Sequence, residues 1–144
     1  MTNIKKILIA VDDGPTAEKV ALSAFHFAHQ LKAEMALVSV VDTASLMSEG
    51  GITVGELADI MTKEYKQNHQ LLMDKIFKDV KVWSFVEKGK PHEEILKVAQ
   101  EWEADLIVMG THGRTGLAHL FMGSVAEKIV RHSEKPLFII PTRP

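Results

Sequence analysis

Asp105-Leu106-Ile107-Val108-Met109-Gly110-Thr111-His112-Gly113, followed later by Gly123-Ser124-Val125, sets the spacing Gly-x2-Gly-x9-Gly-Ser near the end of the chain. Asp105 to Met109, apolar from Leu106 on, reads as a buried strand, whereas Val125 to His132 reads as the start of an amphipathic helix. Glycines at the carboxyl end of a strand let backbone N–H groups approach an anion without a Cβ in the way. The helix that follows turns its free N–H groups and positive dipole end toward the same place. Such a site suits the phosphates of a nucleotide. Ser124-x-x-Glu127 adds the pattern of a capping box at the helix start.

Upstream, strand-like and helix-like segments alternate. Ile7-Leu8-Ile9-Ala10-Val11 is an apolar run stopped by Asp12-Asp13-Gly14-Pro15, with Pro15 suited to a first helical position. Val20, Ala21, Ala24, Phe25, Ala28 and Leu31 share one helical face. Met35 to Val41 is a second buried strand ending at Asp42, and Thr43 to Gly55 reads as a loop. A helix is expected from Glu56 to Lys78, with Leu57, Ile60, Met61, Tyr65, Leu72 and Ile76 as its apolar face. Val80 to Val86 alternates apolar with polar and reads as a strand nearer the sheet edge. Pro91 opens the next helix, striped by Ile95, Val98, Ala99 and Trp102, and Leu137 to Ile140 closes the chain as a last strand.

Continuous apolar strands alternating with helices imply an α/β fold, a doubly wound parallel sheet covered on both faces, in one domain over residues 1–144. Ligands of such sheets lie outside the carboxyl ends of the strands, where the strand order reverses. Ala10-Val11-Asp12, Val40-Val41-Asp42 and the glycine loop converge there.

Composition narrows the function. A length of 144 residues with 46% hydrophobic content suffices for one buried core. Net charge is −2 and the charges are interspersed, which gives no field for nucleic acid. The absence of cysteine excludes disulfides, zinc–thiolate sites and cysteine nucleophiles. With no signal-peptide layout and no apolar run of membrane-spanning length, the expectation is a cytoplasmic protein without membrane association.

Ile7-Leu8-Ile9-Ala10-Val11-Asp12, Ser39-Val40-Val41-Asp42, Gly110-Thr111-His112-Gly113-Arg114, Gly123-Ser124-Val125-Ala126-Glu127 and Lys135-Pro136-Leu137-Phe138-Ile139-Ile140-Pro141 together resemble the nucleotide-binding type of universal stress protein, over essentially the whole chain. The resemblance implies a five-stranded parallel sheet in order 3-2-1-4-5, Rossmann-like and close to the adenine nucleotide alpha hydrolase-like folds. It also implies a homodimer that binds ATP, or AMP or ADP, with Mg as phosphate counter-ion, in a stress response. Carried over by position, Ala10, Val11 and Val40 line the adenine pocket, and Asp12 meets the ribose and a phosphate-bound divalent ion. Gly110 and Gly113 lie along ribose and phosphates, and Gly123, Ser124 and Val125 offer N–H groups and a hydroxyl to the phosphates.

Several of these residues have a second reading. Asp12 also suits a cap of the turn before Pro15, and Ser124 suits a helix cap as well as a phosphate contact. Arg114 is either a phosphate ligand or a surface arginine. His112 and His119 flank the loop without an identifiable orienting partner, so solvated side chains are expected. His26 and His29 sit one helical turn apart but lack an evident third ligand, so they are read as surface residues. With no Walker A lysine motif and no assigned general base, a nucleotide-dependent switch or sensor with little or no ATPase is expected, in which ATP orders Arg114 to Met122 and the Thr43 to Gly55 loop. The alternatives are a slow ATP-hydrolysing enzyme and a nucleotide-free dimeric interaction module. Dimerisation is expected through Leu137–Ile140, an apolar edge strand whose pairing across a two-fold axis covers its free backbone groups. The protein partner is unknown.

Overall fold

The structure, a computed structural model, describes residues 3–113 and 122–142. In chain order it contains β1 (Lys6–Ala10), α1 (Ala17–Leu31), β2 (Glu34–Asp42), a 3-10 turn (Thr43–Ser45), α2 (Val54–Lys75), β3 (Val82–Gly89), α3 (Pro91–Glu101), β4 (Leu106–Gly110), α4 (Ser124–His132) and β5 (Leu137–Ile140). The five strands form one parallel sheet in the order β3-β2-β1-β4-β5, as expected.

Side-chain alternation along β1 divides the core. Ile7 and Ile9 pack with Val20, Ala21, Ala24 and Ala28 of α1 and with Leu72 of α2. Leu8 and Ala10 face the other way, onto Ile95, Val98 and Ala99 of α3 and Ala126 and Ile129 of α4. Two helices therefore cover each face, and burying these aliphatic side chains is the main source of stability, about 1.5–3 kcal/mol for each large one. Small alanines on α1 let that helix lie close to the sheet. Ile9 pairs with Leu37 on one side and Val108 on the other, so the chain passes from β1 outward to β2 and later to β4 on the opposite side. The resulting order reversal opens a crevice between the carboxyl ends of β1 and β4.

Several local expectations are corrected. Pro15 lies in a turn before α1, whose N-cap is Thr16, and Leu31 at the other end is exposed. α2 starts earlier than expected because the Thr53 hydroxyl accepts from Glu56 N at 3.0 Å, an N-cap that also places Val54 in the helix. Its buried face is Ala58, Tyr65, His69 and Leu72, while Ile60 is 45% exposed. Val80 precedes β3 and is exposed, and β3 runs on to Gly89. The expected Thr43 to Gly55 loop contains the 3-10 turn and an isolated bridge between Glu49 and Ile52.

Candidate functional site

Nine of the ten residues singled out from the sequence line one crevice of about 680 Å³: Ala10, Val11, Asp12, Val40, Gly110, Gly113, Gly123, Ser124 and Val125. The tenth, Arg114, lies outside the described residues, as does His119. Met61 and Tyr65 of α2, Pro91 and Ile95 of α3, and Met109 complete an apolar side. The volume and the mixture of apolar wall with few polar groups are those of a small-molecule site.

Asp12 stands at the centre. Its Oδ1 accepts from Gly14 N at 2.9 Å, an Asx turn that closes the β1–α1 connection. A Cβ on Gly113 would sit 2.9 Å from Asp12 Oδ2, so a side chain there would displace the Asp12 carboxylate. Gly110 is required by packing of a different kind. A Cβ there would meet Thr142 Oγ1 at 2.7 Å and Thr142 Cγ2 at 2.8 Å. The glycine spacing thus has internal reasons for two of its members, besides any contact with a ligand.

α4 begins at Ser124, with Gly123 as its N-cap and no side-chain capping bond. The expected cap by Ser124 is therefore corrected. Ser124 is the first helical residue, exposed at the crevice, and Gly123 in extended geometry supplies the cap through its backbone, its carbonyl accepting from Glu127 N at 2.9 Å. Gly123 N in turn donates to Thr111 O at 2.7 Å, which fixes the helix start against the β4 loop. The first-turn N–H groups that follow have no intrahelical acceptors and carry the positive end of the helix dipole.

His112 differs from expectation. It is 3% exposed, and its Nδ1 lies 3.0 Å from the Thr111 hydroxyl, so it has an orienting partner. His26 and His29 are exposed on α1, where both rings lie near Phe25. Among the described residues no three His, Cys, Asp or Glu side chains gather to hold a metal ion.

Sequence reasoning missed a buried polar chain beneath the crevice. Met35, Leu37 and Val41 of β2 face α1 and α2, and Ser39 interrupts that apolar series. Ser39 Oγ donates to Val11 O at 2.6 Å and lies 2.7 Å from His69 Nε2; the other ring nitrogen, Nδ1, lies 2.6 Å from Ser84 Oγ on β3. Since the Ser39 proton goes to Val11 O, His69 donates from Nε2 and accepts at Nδ1. Burial pushes the His69 pKa down from 6.5 to about 4, which keeps the ring neutral near pH 7. The neighbouring Asn68 donates from Nδ2 to Asp12 O at 2.9 Å. Consecutive residues of α2 thus hold consecutive carbonyls at the end of β1. The available signal was the spacing of His69 between Tyr65 and Leu72 on the helix face.

A five-stranded parallel sheet in this order, with a crevice walled by a β1 aspartate, a glycine loop and the start of α4, defines the protein class. The family model described as the Universal stress protein family matches residues 3–141, and the chain belongs to that family. Among its relatives are two universal stress proteins of Methanocaldococcus jannaschii. MJ0577 is 34% identical, covering 94% of each chain, and MJ0531 is 32% identical, covering 94% of this chain and 81% of its own. The solved structure of MJ0577 superposes with a TM-score of 0.85 at 30% identity over 99% of both chains. A universal stress protein from Archaeoglobus fulgidus, solved in complex with dAMP, shares the fold at 22% identity and a TM-score of 0.61, covering 96% of this chain and 99% of its own.

Proposed function

We propose that the crevice binds an adenine nucleotide, ATP in the first place, and that the protein acts as a nucleotide-dependent switch or sensor with little or no intrinsic ATPase. The observation that carries this reading is the meeting of α4's N-terminus with Asp12 and Gly113 in one crevice, beside an apolar wall. Ala10, Val11 and Val40 take the base, Asp12 the ribose, and the N–H groups of Ser124 and Val125 the phosphates. Gly123 N is already engaged by Thr111 O, so its part is to place the helix start. The dAMP complex of the Archaeoglobus fulgidus protein supports the compatibility of this fold with an adenine nucleotide.

Among the described residues the crevice is lined by the carboxylates Asp12 and Asp42 and by no lysine or arginine. A polyphosphate there needs a cation to offset its charge, and the Asp12 carboxylate suits Mg bound to the phosphates. Mg would supply charge neutralisation. Asp12 itself, held by Gly14 N and by Asn68 through its backbone, would fix the ribose. His112 is engaged with Thr111, and no described group stands out to activate a water, which favours slow turnover or none.

The switch follows from differential binding: nucleotide contacts at Asp12, Val40 and Ser124 stabilise one arrangement of the crevice rim, including the Thr43–Thr53 connection beside it. Of the other segment expected to respond, Arg114 to Met122, residues 114–121 lie outside the described residues. A homodimer through β5, a cytoplasmic location and a protein partner complete the proposal. Among the described residues no helix is long and apolar enough to cross a membrane.

Calorimetry on nucleotide-stripped protein tests the reading, with a folded Gly113→Ala, Gly123→Val double variant alongside. Binding of ATP by the wild type and its loss in the variant is expected. No heat from either protein, with no thermal shift, would sink the nucleotide reading and leave a dimeric interaction module; sustained phosphate release over many turnovers would replace the switch with an enzyme.

A further inference from the structure

Thr142, two positions beyond β5, is 2% exposed and stitched to the glycine loop. Its hydroxyl donates to His112 O at 2.8 Å and accepts from His112 N at 2.9 Å. Its own N–H donates to Thr111 Oγ1 at 3.0 Å, and Thr111 N donates to Ile140 O at 2.9 Å. Both backbone groups of His112 therefore close on one side-chain hydroxyl. The approach is possible because Gly110 has no Cβ where Thr142 Oγ1 and Cγ2 lie.

The single hydroxyl proton of Thr142 goes to His112 O. Thr111 Oγ1 accepts the Thr142 N–H and lies 3.0 Å from His112 Nδ1, which ties the ring to the same network. Thr111 O meanwhile accepts from Gly123 N at 2.7 Å and so holds the start of α4. Thr111 is the hinge of the arrangement. One end of it is fixed by the chain after β5, and the other fixes the helix whose N–H groups face the crevice.

We propose that Thr142 is a positioning residue for the phosphate side of the crevice, setting Thr111–Gly113, the His112 ring and the N-terminus of α4 for the anionic end of the ligand. The base side, built from Ala10, Val11 and Val40, has no share in this network. This proposal rests on the nucleotide reading above, and it separates ligands by what they carry: ATP depends on Thr142, whereas adenosine does not.

The test compares ATP with adenosine by calorimetry on the wild type, Thr142→Val and Thr142→Ser, together with amide exchange at His112 and Gly123 in the absence of ligand. Valine keeps the shape and removes the hydroxyl, leaving both His112 backbone groups without that partner. A loss of about tenfold or more in ATP affinity is expected for Thr142→Val, with adenosine changed by less than about twofold and serine restoring ATP binding. Faster exchange at His112 and Gly123 in the valine variant is expected with no nucleotide present. Equal losses for ATP and adenosine, or wild-type ATP affinity in the valine variant, would overturn the proposal. If the wild type binds neither ligand, the nucleotide reading fails on its own. The exchange result then decides whether Thr142 positions the loop: unchanged protection at both amides overturns that, and faster exchange upholds it. Should Thr142→Val not fold, Thr111→Val repeats the test, since it removes the acceptor of the Thr142 N–H.

Discussion

His69 Nε2 lies 2.7 Å from Ser39 Oγ, and through that hydroxyl a helix side chain holds the carbonyl of Val11 at the crevice. Ser84, exposed on β3, closes the other side of the ring at 2.6 Å. The chain Ser84–His69–Ser39–Val11 O crosses from the sheet edge to the end of β1 with every polar atom engaged; among the described residues no buried side-chain nitrogen or oxygen is left unsatisfied.

This burial makes stability depend on acid. The folded pKa of His69, about 4, lies below its ordinary 6.5, so the unfolded chain binds the extra proton between those values. The folded state keeps its advantage above pH 6.5 and loses it as pH falls toward 4, by about 1.4 kcal/mol per pH unit and about 3 kcal/mol in all. Urea unfolding from pH 7.5 to 4.5 should show this slope in the wild type and a flatter one in His69→Gln, which is less stable at neutral pH. Parallel slopes in the two proteins would refute the assignment.

Gly110→Ala places a methyl 2.7 Å from Thr142 Oγ1 and 3.2 Å from Val20 Cγ2, both in the packed interior. Overpacking of this kind costs about 1–3 kcal/mol. Thermal unfolding should show the loss. A double-mutant cycle with Thr142→Ala should be non-additive, because the smaller side chain relieves the clash.

Gly113→Ala acts differently, because the added methyl meets the end of a carboxylate side chain, Asp12 Oδ2 at 2.9 Å. That end can swing away, so the stability change should stay below about 1 kcal/mol. Nucleotide affinity should nonetheless fall about tenfold or more, since Asp12 leaves its position. Calorimetry beside a thermal melt separates the two effects; an unstable variant with unchanged affinity would contradict this reading.

Phe138 on β5 is 36% exposed and packs on Phe27 of α1 with ring centroids 4.8 Å apart, so an aromatic pair stands at the β5 border of the sheet. Phe138→Lys should convert a dimer into a species of about 16.0 kDa in light scattering. A monomeric wild type, or a dimeric variant, would remove β5 as the interface.

The sheet was legible because buried parallel strands are written as largely apolar runs: Leu137–Ile140 appears with the expected bounds, and β2 exceeds its reading by one residue at each end. Helix faces were read less well. An apolar count along α2 puts Ile60 inward, whereas His69 takes a place on the buried stripe because two serines on facing strands satisfy its nitrogens. Such a partnership has no local signal, since Ser39 and Ser84 lie 30 and 15 residues away. The same holds for Thr142, which looks like tail until β5 brings it against Gly110. Ser124 illustrates a different limit. A serine three residues before a glutamate matches a capping box, yet Gly123 can adopt the cap conformation and moves the helix start by one residue.

The two borders of the sheet are unlike. β3 is flanked by Lys81, whose Nζ lies 4.6 Å from the Trp83 ring centroid, and carries Lys88, paired with Asp59 of α2. β5 offers Leu137–Ile140 between two prolines with no charged side chain along it. Charged residues discourage strand addition at the first border; at the second, among the described residues, Pro136 and Pro141 flank a strand without charged side chains. In the proposed dimer through β5, both outward borders would be the charged kind, which discourages further border-to-border growth toward a fibre.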